Sequence, residues 1–309
     1  MMNITFVIIG IILLYYGGEW VLTSSLSFAE RFSVPRVFSA VILIGFGTSM
    51  PEFFVSFLAV IDKASPMAVG NILGSNMANI LLVMPIGLLL SPIYQKVKFV
   101  GYESTFLIIS SFFPLIAFYI FGSFNFPFGL ACIIVLFIYF YLTSLRPNID
   151  EIGGEVENMT TLNISVFFTF GLLMLVAGSY LLVQGAIGIA TYLGISNAII
   201  GVSVVAVGTS LPEISTAIAS ARKGHGSMIV GNVLGSNIFN ILVVLGGIAL
   251  YEKMPITWKD FSVSMILIPI TSILFVFVIY FNKLNRLFAI LCLLIYIFYM
   301  YSWSINEIL

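Results

Sequence analysis

The sequence predicts an all-α polytopic membrane protein with ten transmembrane helices in two inverted-topology five-helix repeats. Hydrophobic residues make up 61% of the 309 residues and charged residues only 8%, whereas soluble domains carry roughly 25% charged residues. The mean hydropathy is +1.16. Apolar runs of about the ~20 residues that a spanning helix needs recur along the chain. Two long motifs also occur twice, at a constant offset of 161 residues.

Each predicted helix is an apolar run that ends at Gly, Pro or charged residues. In chain order we expect the ten helices near residues 4–28, 37–61, 67–92, 102–122, 126–144, 164–190, 197–221, 227–250, 261–281 and 286–304. Residues 145–162 form the longest connection and carry several acidic side chains. We interpret this segment as a solvated linker, because it lacks the ligand alternation of a calcium-binding loop. The predicted domains are therefore a first repeat at 1–144, a cytoplasmic linker at 145–162 and a second repeat at 163–309.

Lys and Arg residues in alternate loops predict the orientation. With the N-terminus outside, the inner loops hold nine basic residues: Arg31, Arg36, Lys96, Lys98, Arg146, Arg222, Lys223, Lys283 and Arg286. The outer loops hold three: Lys63, Lys253 and Lys259. Positive charge favours the cytoplasmic side. We therefore expect a multi-pass protein of the cell membrane with both termini extracytoplasmic.

The repeated motifs lie in the second and third helices of each half. Residues 47–52 read Gly-Thr-Ser-Met-Pro-Glu, and 208–213 read Gly-Thr-Ser-Leu-Pro-Glu. Residues 70–79 read Gly-Asn-Ile-Leu-Gly-Ser-Asn-Met-Ala-Asn, and 231–240 read Gly-Asn-Val-Leu-Gly-Ser-Asn-Ile-Phe-Asn. The offset moves the second helix onto the seventh, so each repeat contains five spans. Because five is odd, the copies cross the membrane in opposite directions, as in many transporters.

Acidic residues within membrane spans are expensive and usually functional, so Glu52 and Glu213 are the first candidates for a cation site. Pro51 and Pro212 should open their helices near Gly47 and Gly208, leaving carbonyls that a cation can occupy. Polar side chains follow at helical spacing on the neighbouring helices: Asn71, Ser75 and Asn79 in the first half, and Asn232, Ser236 and Asn240 in the second. The donors are hard oxygens, which favour Ca²⁺ or Na⁺ over transition metals.

Other polar residues have plainer interpretations. Asn76 and Asn237 point off the polar stripe, and both helix packing and ion binding remain open for them. Glu19 corresponds to Tyr180 at the repeat offset and therefore lies outside the symmetric site, with a vestibule, helix-packing or ion-binding role open. His225 is expected to be a solvated loop residue, because no second His or Cys accompanies it. A net charge of −1 excludes a basic nucleic-acid-binding surface.

The paired motifs, in two inverted copies of five spans, resemble the α-repeats of the calcium/cation antiporter superfamily, in particular the prokaryotic sodium/calcium exchangers. The resemblance implies that Glu52 and Glu213 bind Ca²⁺ with backbone oxygens of Thr48 and Thr209. It implies sliding of the first and sixth helices against the other eight, and three Na⁺ per Ca²⁺. It also implies flanking Na⁺ sites at four serines: Ser49, Ser75, Ser210 and Ser236. Asn79, Asn240 and Ala206 complete the candidate metal-binding set.

One position divides the superfamily. Its potassium-dependent exchangers, and some archaeal relatives, carry Asp where this chain has Asn240, and its proton-coupled members carry another acid shortly after the Gly-Asn pair. The matched amides Asn79 and Asn240 predict a site with two formal negative charges. The expected function is therefore K⁺-independent Na⁺/Ca²⁺ antiport by alternating access, and the three Na⁺ per Ca²⁺ that the resemblance implies would make it electrogenic.

Two other functions remain alternatives: an H⁺/Ca²⁺ exchanger and a cation channel. An enzyme that uses the two carboxylates as acid and base is not expected, because no constellation of His, Cys or metal ligands accompanies them. No cofactor is expected, and the partners are the transported Ca²⁺ and Na⁺ and membrane lipid, with no obligatory protein partner.

Overall fold

The computed structural model describes residues 2–93, 101–144, 159–193 and 208–308. We number its helices in chain order: α1 Met2–Arg31, α2 Arg36–Ile61, α3 Ser65–Leu90, α4 Gly101–Phe121, α5 Phe126–Ser144, α6 Thr161–Tyr192, α7 Leu211–Arg222, α8 Gly226–Tyr251, α9 Trp258–Tyr280 and α10 Arg286–Ile308. A short strand β1 (Ser123–Phe124) pairs antiparallel with β2 (Met254–Pro255).

The helices confirm the predicted all-α fold. Every helix end in the described part of the chain agrees with the prediction to within four residues, except the start of α7. Within the described residues, eight helices are long and apolar enough to cross a membrane, and the exceptions are α7 and α10. Part of the predicted seventh span, 197–221, lies outside the described residues, as do most of the 145–162 linker and three predicted inner-loop cations (Lys96, Lys98 and Arg146).

Contacts between the interhelical turns assign these turns to two opposite faces of the helix bundle. On one face, Arg31 after α1 donates a hydrogen bond to Thr161 at the start of α6 (2.8 Å). On the same face, the backbone N–H of Ile93 after α3 donates to the carbonyl of Leu284, which lies between α9 and α10 (2.9 Å). The β1–β2 pair joins the α4–α5 turn to the α8–α9 turn. Turns after odd-numbered helices thus meet each other, and so do two turns after even-numbered helices, which is the arrangement of two inverted repeats of five spans.

Helices α3 and α8 form the centre of the molecule. Of their most apolar 18 residues, 78% and 83% are buried, against 28% in α1 and 22% in α6. The motif-bearing helices are therefore shielded from lipid by the rest of the bundle, and α1 and α6 lie at its periphery. This is where the fold can hold polar groups at membrane depth, since lipid offers them no hydrogen-bond partner.

Helices α1 and α6 pack against each other along a glycine seam. A Cβ at Gly10 would lie 2.8 Å from the Gly178 carbonyl oxygen, and a Cβ at Gly17 would lie 2.9 Å from that of Gly171. Only glycine permits such an approach of two backbones. The 161-residue offset converts Gly10 into Gly171 and Gly17 into Gly178, so a pseudo-two-fold axis exchanges the two contacts.

Candidate metal centre

The candidate site begins at matched interruptions of two helices. Helix α2 is helical up to Thr48, breaks at Ser49 and resumes at Met50. Helix α7 starts at Leu211, directly after Ser210. The prolines at positions 51 and 212 explain where the helices break. Proline has no N–H to donate to a helical hydrogen bond, but it is tolerated in the first turn of a helix. The interruptions lie two residues after Gly47 and Gly208, where the sequence predicted them.

Glu52 and Glu213 lie in the first turns of the helices that restart after these breaks. Both are buried, each with 1% of its surface exposed, and they are close enough for their charges to interact. Helix N-termini carry partial positive charge, which favours carboxylates at this position. In the described residues no third Asp, Glu, His or Cys joins them in a cluster. The local charge is therefore set by these two groups.

Unsatisfied polar atoms converge on the predicted residues. Within the described chain, eight buried side-chain atoms of this set lack a hydrogen-bond partner, and seven of them are oxygens. They are Oε2 of Glu52, Oε1 and Oε2 of Glu213, Oγ of Ser49 and Ser210, Oδ1 of Asn79, and Oδ1 and Nδ2 of Asn240. Buried polar atoms are normally paired. Unpaired oxygens of carboxylate, hydroxyl and amide groups are the donors that a hard cation requires.

The other predicted residues surround these groups. Ser75 donates to Oε1 of Glu52 (3.4 Å), whereas Ser236 donates to the Gly45 carbonyl (3.3 Å). Thr48 donates to its own helix at Ile44 (2.9 Å), and its side chain, like that of Ser49, approaches the Glu213 carboxylate. Thr209 is half-buried beside Ser210. Ala206 lies outside the described residues.

One expectation is corrected at the second helix break. The carbonyl of Gly208 was expected to be left for a cation, but the hydroxyl of Ser179 on α6 donates to it at 2.6 Å. Sequence reasoning missed Ser179 because the 161-residue offset places Gly18 at the equivalent position in α1. The contact depends on how α6 packs against the break, which the repeat does not encode.

Both motif helices widen at the same repeat position. A π-helical segment begins at Asn79 in α3 and another at Asn240 in α8. Such segments occur mostly as single turns and often at functional sites. Asn79 donates across the repeats to Oδ1 of Asn237 (3.2 Å), whereas Asn76 donates to Ile72 of its own helix (2.9 Å). These contacts give Asn76 and Asn237 helix-packing roles, one of the two interpretations left open by the sequence.

Glu19 is not one of the residues with unpaired oxygens, and its carboxylate forms ion pairs with two basic side chains. Its Oε2 is 2.8 Å from Nζ of Lys223, and its Oε1 is 3.4 Å from Nη1 of Arg222. The Arg222 guanidinium also lies over the ring of Tyr15, 4.8 Å from its centre. The carboxylate is thus occupied by protein charges at the end of α7. Of the roles left open, the structure supports a link between helices.

His225 is buried, and the expectation of a solvated loop residue was wrong. The backbone N–H of His225 donates to the Ser220 carbonyl (2.9 Å), and its backbone carbonyl accepts from the N–H of Met228 (3.0 Å), so backbone hydrogen bonds hold this residue within the α7–α8 turn. Burial lowers the pKa of His225 from 6.5, and the charges of Arg36 and Lys223 lower it further.

Sequence reasoning also missed Glu103, buried in the first turn of α4, because its repeat counterpart is Ser264.

Comparison with known proteins identifies relatives along the whole chain. The family model described as sodium/calcium exchanger protein matches residues 2–145 and 164–303. The membrane protein MJ0091 of Methanocaldococcus jannaschii is 32% identical over 302 residues, covering 96% of each chain. The sodium/calcium exchanger MaX1 of Methanosarcina acetivorans is 26% identical over 331 residues, covering 89% of this chain and 91% of its own.

The fold also matches solved structures. A structure of the sodium-calcium exchanger NCX_Mj, soaked with 10 mM Na⁺ and zero Ca²⁺, superposes with a TM-score of 0.84 at 31% identity. The match covers 97% of this chain and 98% of that one. The similarity therefore extends over both repeats and includes the helices that carry the paired glutamates.

Proposed function

Because the chain belongs to the sodium/calcium exchanger protein family, we propose that it exchanges Na⁺ for Ca²⁺ across the cell membrane by alternating access, electrogenically and without K⁺. The family is one of membrane transporters, and the helices of this chain form a multi-pass membrane protein. The observation that carries the proposal is that Glu52, Glu213 and four further residues of the repeated motifs contribute seven buried oxygens without a hydrogen-bond partner in the described chain. A permanent structural role would leave these atoms at a cost of about 1–3 kcal/mol each.

The two carboxylates explain why transport would be an exchange. One Ca²⁺ or two Na⁺ neutralise the pair, whereas the empty site keeps two negative charges at membrane depth. Moving an unpaired charge through hydrocarbon is unfavourable. The loaded site therefore changes its access more readily than the empty one, which suppresses a leak and couples the two ions.

Electrogenic transport follows if a third Na⁺ accompanies the first two. Ser49 and Ser210, each three residues before a glutamate, provide unpaired buried hydroxyl oxygens, and such oxygens suit a monovalent ion that brings no counter-charge. Each cycle would then move one net positive charge with Na⁺. The membrane potential would contribute about 2.3 kcal/mol per 100 mV to that step.

Alternating access is supported by the packing of α1 and α6. Their contacts to each other run along the Gly10–Gly178 and Gly17–Gly171 seam, and both helices lie at the periphery of the bundle. At ~1.5 Å per residue, the 30 residues of α1 and 32 residues of α6 make rods longer than the ~30 Å hydrocarbon core. We propose that this pair moves as one body past the motif helices and exposes the site to alternate sides.

Potassium independence rests on Asn240. Its side chain is fully buried and neutral, so the described site has two formal charges. A further monovalent cation beside Ca²⁺ would lack the extra negative charge that holds it.

The excess of basic residues on one set of loops supports the orientation, with both termini extracytoplasmic.

Transport by the purified protein in liposomes tests the proposal. Vesicles loaded with Na⁺ should take up ⁴⁵Ca²⁺ when diluted into Na⁺-free medium, and should not do so when choline replaces internal Na⁺. Uptake should speed up when a K⁺ diffusion potential, set with valinomycin, makes the vesicle interior positive during Na⁺ efflux. Uptake driven by a pH gradient without Na⁺ would instead favour H⁺/Ca²⁺ exchange, and flux without any counter-ion would favour a channel.

A further inference from the structure

An asparagine amide bridges the glutamate-bearing helix to the motif helix beside it in each repeat. Nδ2 of Asn71 on α3 donates to the backbone carbonyl of Glu52 (3.4 Å) and to Oγ of Ser56 (2.9 Å). Nδ2 of Asn232 on α8 donates to the carbonyl of Glu213 (3.4 Å) and to Oγ1 of Thr216 (3.0 Å). Neither amide binds the carboxylate, so the acid oxygens stay available.

The two hydroxyl partners occupy non-equivalent positions of the repeat. Ser56 follows its glutamate by four residues and Thr216 by three, and the 161-residue offset pairs Ser56 with Ala217 and Thr216 with Val55. Positions three and four residues on share a helix face, so either hydroxyl can reach the same amide. A contact inherited from the duplication would have kept its partner in place. The same bridge therefore persists in both halves although its hydroxyl has changed position.

We propose that Asn71 and Asn232 are positioning residues that fix the first turns of the two glutamate helices, and with them the carboxylates, relative to α3 and α8. The proposal rests on the proposed exchange at Glu52 and Glu213. An amide suits this task because it donates two hydrogen bonds without adding charge. Aspartate in its place could accept but not donate when ionised.

The second bridge also reaches across the repeats. Oδ1 of Asn232 lies 3.5 Å from Oγ1 of Thr48 and 3.4 Å from Oγ of Ser236. These two hydroxyls also donate, over shorter distances, to the carbonyls of Ile44 and Gly45, respectively. Asn232 is fully buried, whereas Asn71 is half-buried. Asn232 thus connects the Glu213 helix to the helix break of the other repeat. Its loss should weaken Ca²⁺ binding more than the loss of Asn71.

A register exchange tests the bridge. In the full-length protein, Thr216→Val removes the hydroxyl and keeps the shape, and adding Ala217→Ser places a hydroxyl where the first repeat has Ser56. We expect T216V to raise the Ca²⁺ concentration for half-maximal Na⁺-driven uptake between about two- and tenfold, as for one lost hydrogen bond. The double variant T216V/A217S should recover at least half of that change.

Two variants separate positioning from simple stability. Ser220 lies one turn beyond Thr216 on α7, is buried, and donates to the Thr216 carbonyl (2.7 Å). Ser220→Ala therefore removes a comparable hydroxyl and should lower the melting temperature without moving the half-maximal Ca²⁺ concentration. The reciprocal pair S56A and V55T/S56A in α2 carries the same test should the α7 variants fail to fold.

The outcomes distinguish the inference from the proposed function. An active parent with an unchanged half-maximal Ca²⁺ concentration in T216V, or no recovery in the register-exchanged variant, overturns the positioning role alone. A parent without Na⁺-dependent Ca²⁺ uptake contradicts the proposed function. In that case the melting temperatures of N232A, T216V and N232A/T216V still report whether the two side chains are coupled.

Discussion

Ser49 and Ser210 lie 161 residues apart and interrupt their helices with the same backbone geometry. Their φ and ψ angles are −85° and 2° at Ser49, and −86° and 4° at Ser210. A glutamate follows each break by three residues, and both serine hydroxyls are buried without a hydrogen-bond partner in the described chain. The two halves thus present the same local structure to one site from opposite directions.

Glu52→Gln and Glu213→Gln should each abolish Na⁺-driven ⁴⁵Ca²⁺ uptake. The amide keeps the shape of the side chain and removes half of the formal charge that balances Ca²⁺, a loss that reduces flux by at least about a hundredfold if it costs the ~3 kcal/mol of a buried charge pair. Glu252→Gln, at an exposed acid beyond α8, is the control. Near-normal uptake by either site variant, with normal behaviour in size-exclusion chromatography, would locate the ion site elsewhere.

Cysteines at positions 63 and 283 should label from opposite sides of the membrane. Lys63 follows α2 and Lys283 follows α9, and both are exposed. An impermeant maleimide should modify K63C on intact cells and K283C only after permeabilisation. The parent, whose Cys132 and Cys292 are buried, should remain unlabelled. Modification of both variants from one side would rule out the inverted repeat.

Replacement of K⁺ by choline should leave exchange unchanged in the parent, because Asn240 adds no charge to the site. Asn240→Asp introduces a third carboxyl among buried groups, where a proton can bind near neutral pH. We expect uptake by N240D to vary more steeply between pH 6 and 8 than uptake by the parent. A K⁺ requirement in the parent would refute the K⁺-independent assignment.

Glu19→Gln should preserve Na⁺/Ca²⁺ exchange and its cation selectivity. The carboxylate already pairs with Lys223 and Arg222, and partly exposed ion pairs contribute about 0–1 kcal/mol. The half-maximal Ca²⁺ concentration should therefore move by at most about fivefold. Loss of exchange comparable to that in the Glu52 variant would show that Glu19 binds the transported ion.

The stability of the protein should fall as the pH drops below about 6.5, in part because of His225. Burial lowers the pKa of this imidazole in the folded protein, so the unfolded chain takes up the proton first. The stabilisation is complete above the unfolded pKa and is lost as the pH falls, at no more than about 1.4 kcal/mol per unit. Between pH 8 and 5, the melting temperature of His225→Gln should depend less on pH than that of the parent. An equal pH dependence in the two proteins would contradict the assignment.

The sequence-based prediction of the fold was confirmed, and the repeat marks the helix breaks and the candidate site residues directly. Glu52, Glu213 and the polar positions of both motifs recur at a fixed offset, and proline chemistry locates the helix breaks to within two residues. Contacts made by unrepeated residues escaped it. Ser179 caps the Gly208 carbonyl, and the α7–α8 turn buries His225, because of how separate helices pack. Hydropathy and local spacing carry no information about such long-range contacts.

The ion pairs of Glu19 make the two halves of the protein energetically unequal. If the proposed cycle interconverts two access states of an inverted repeat, a perfectly duplicated sequence would make those states mirror images of equal free energy. The positions equivalent to Glu19, Arg222 and Lys223 are Tyr180, Ile61 and Asp62, which cannot form the same ion pairs. The ion pairs between α1 and the end of α7 therefore have no counterpart in the other half, and in the proposed cycle they would stabilise one access state over the other.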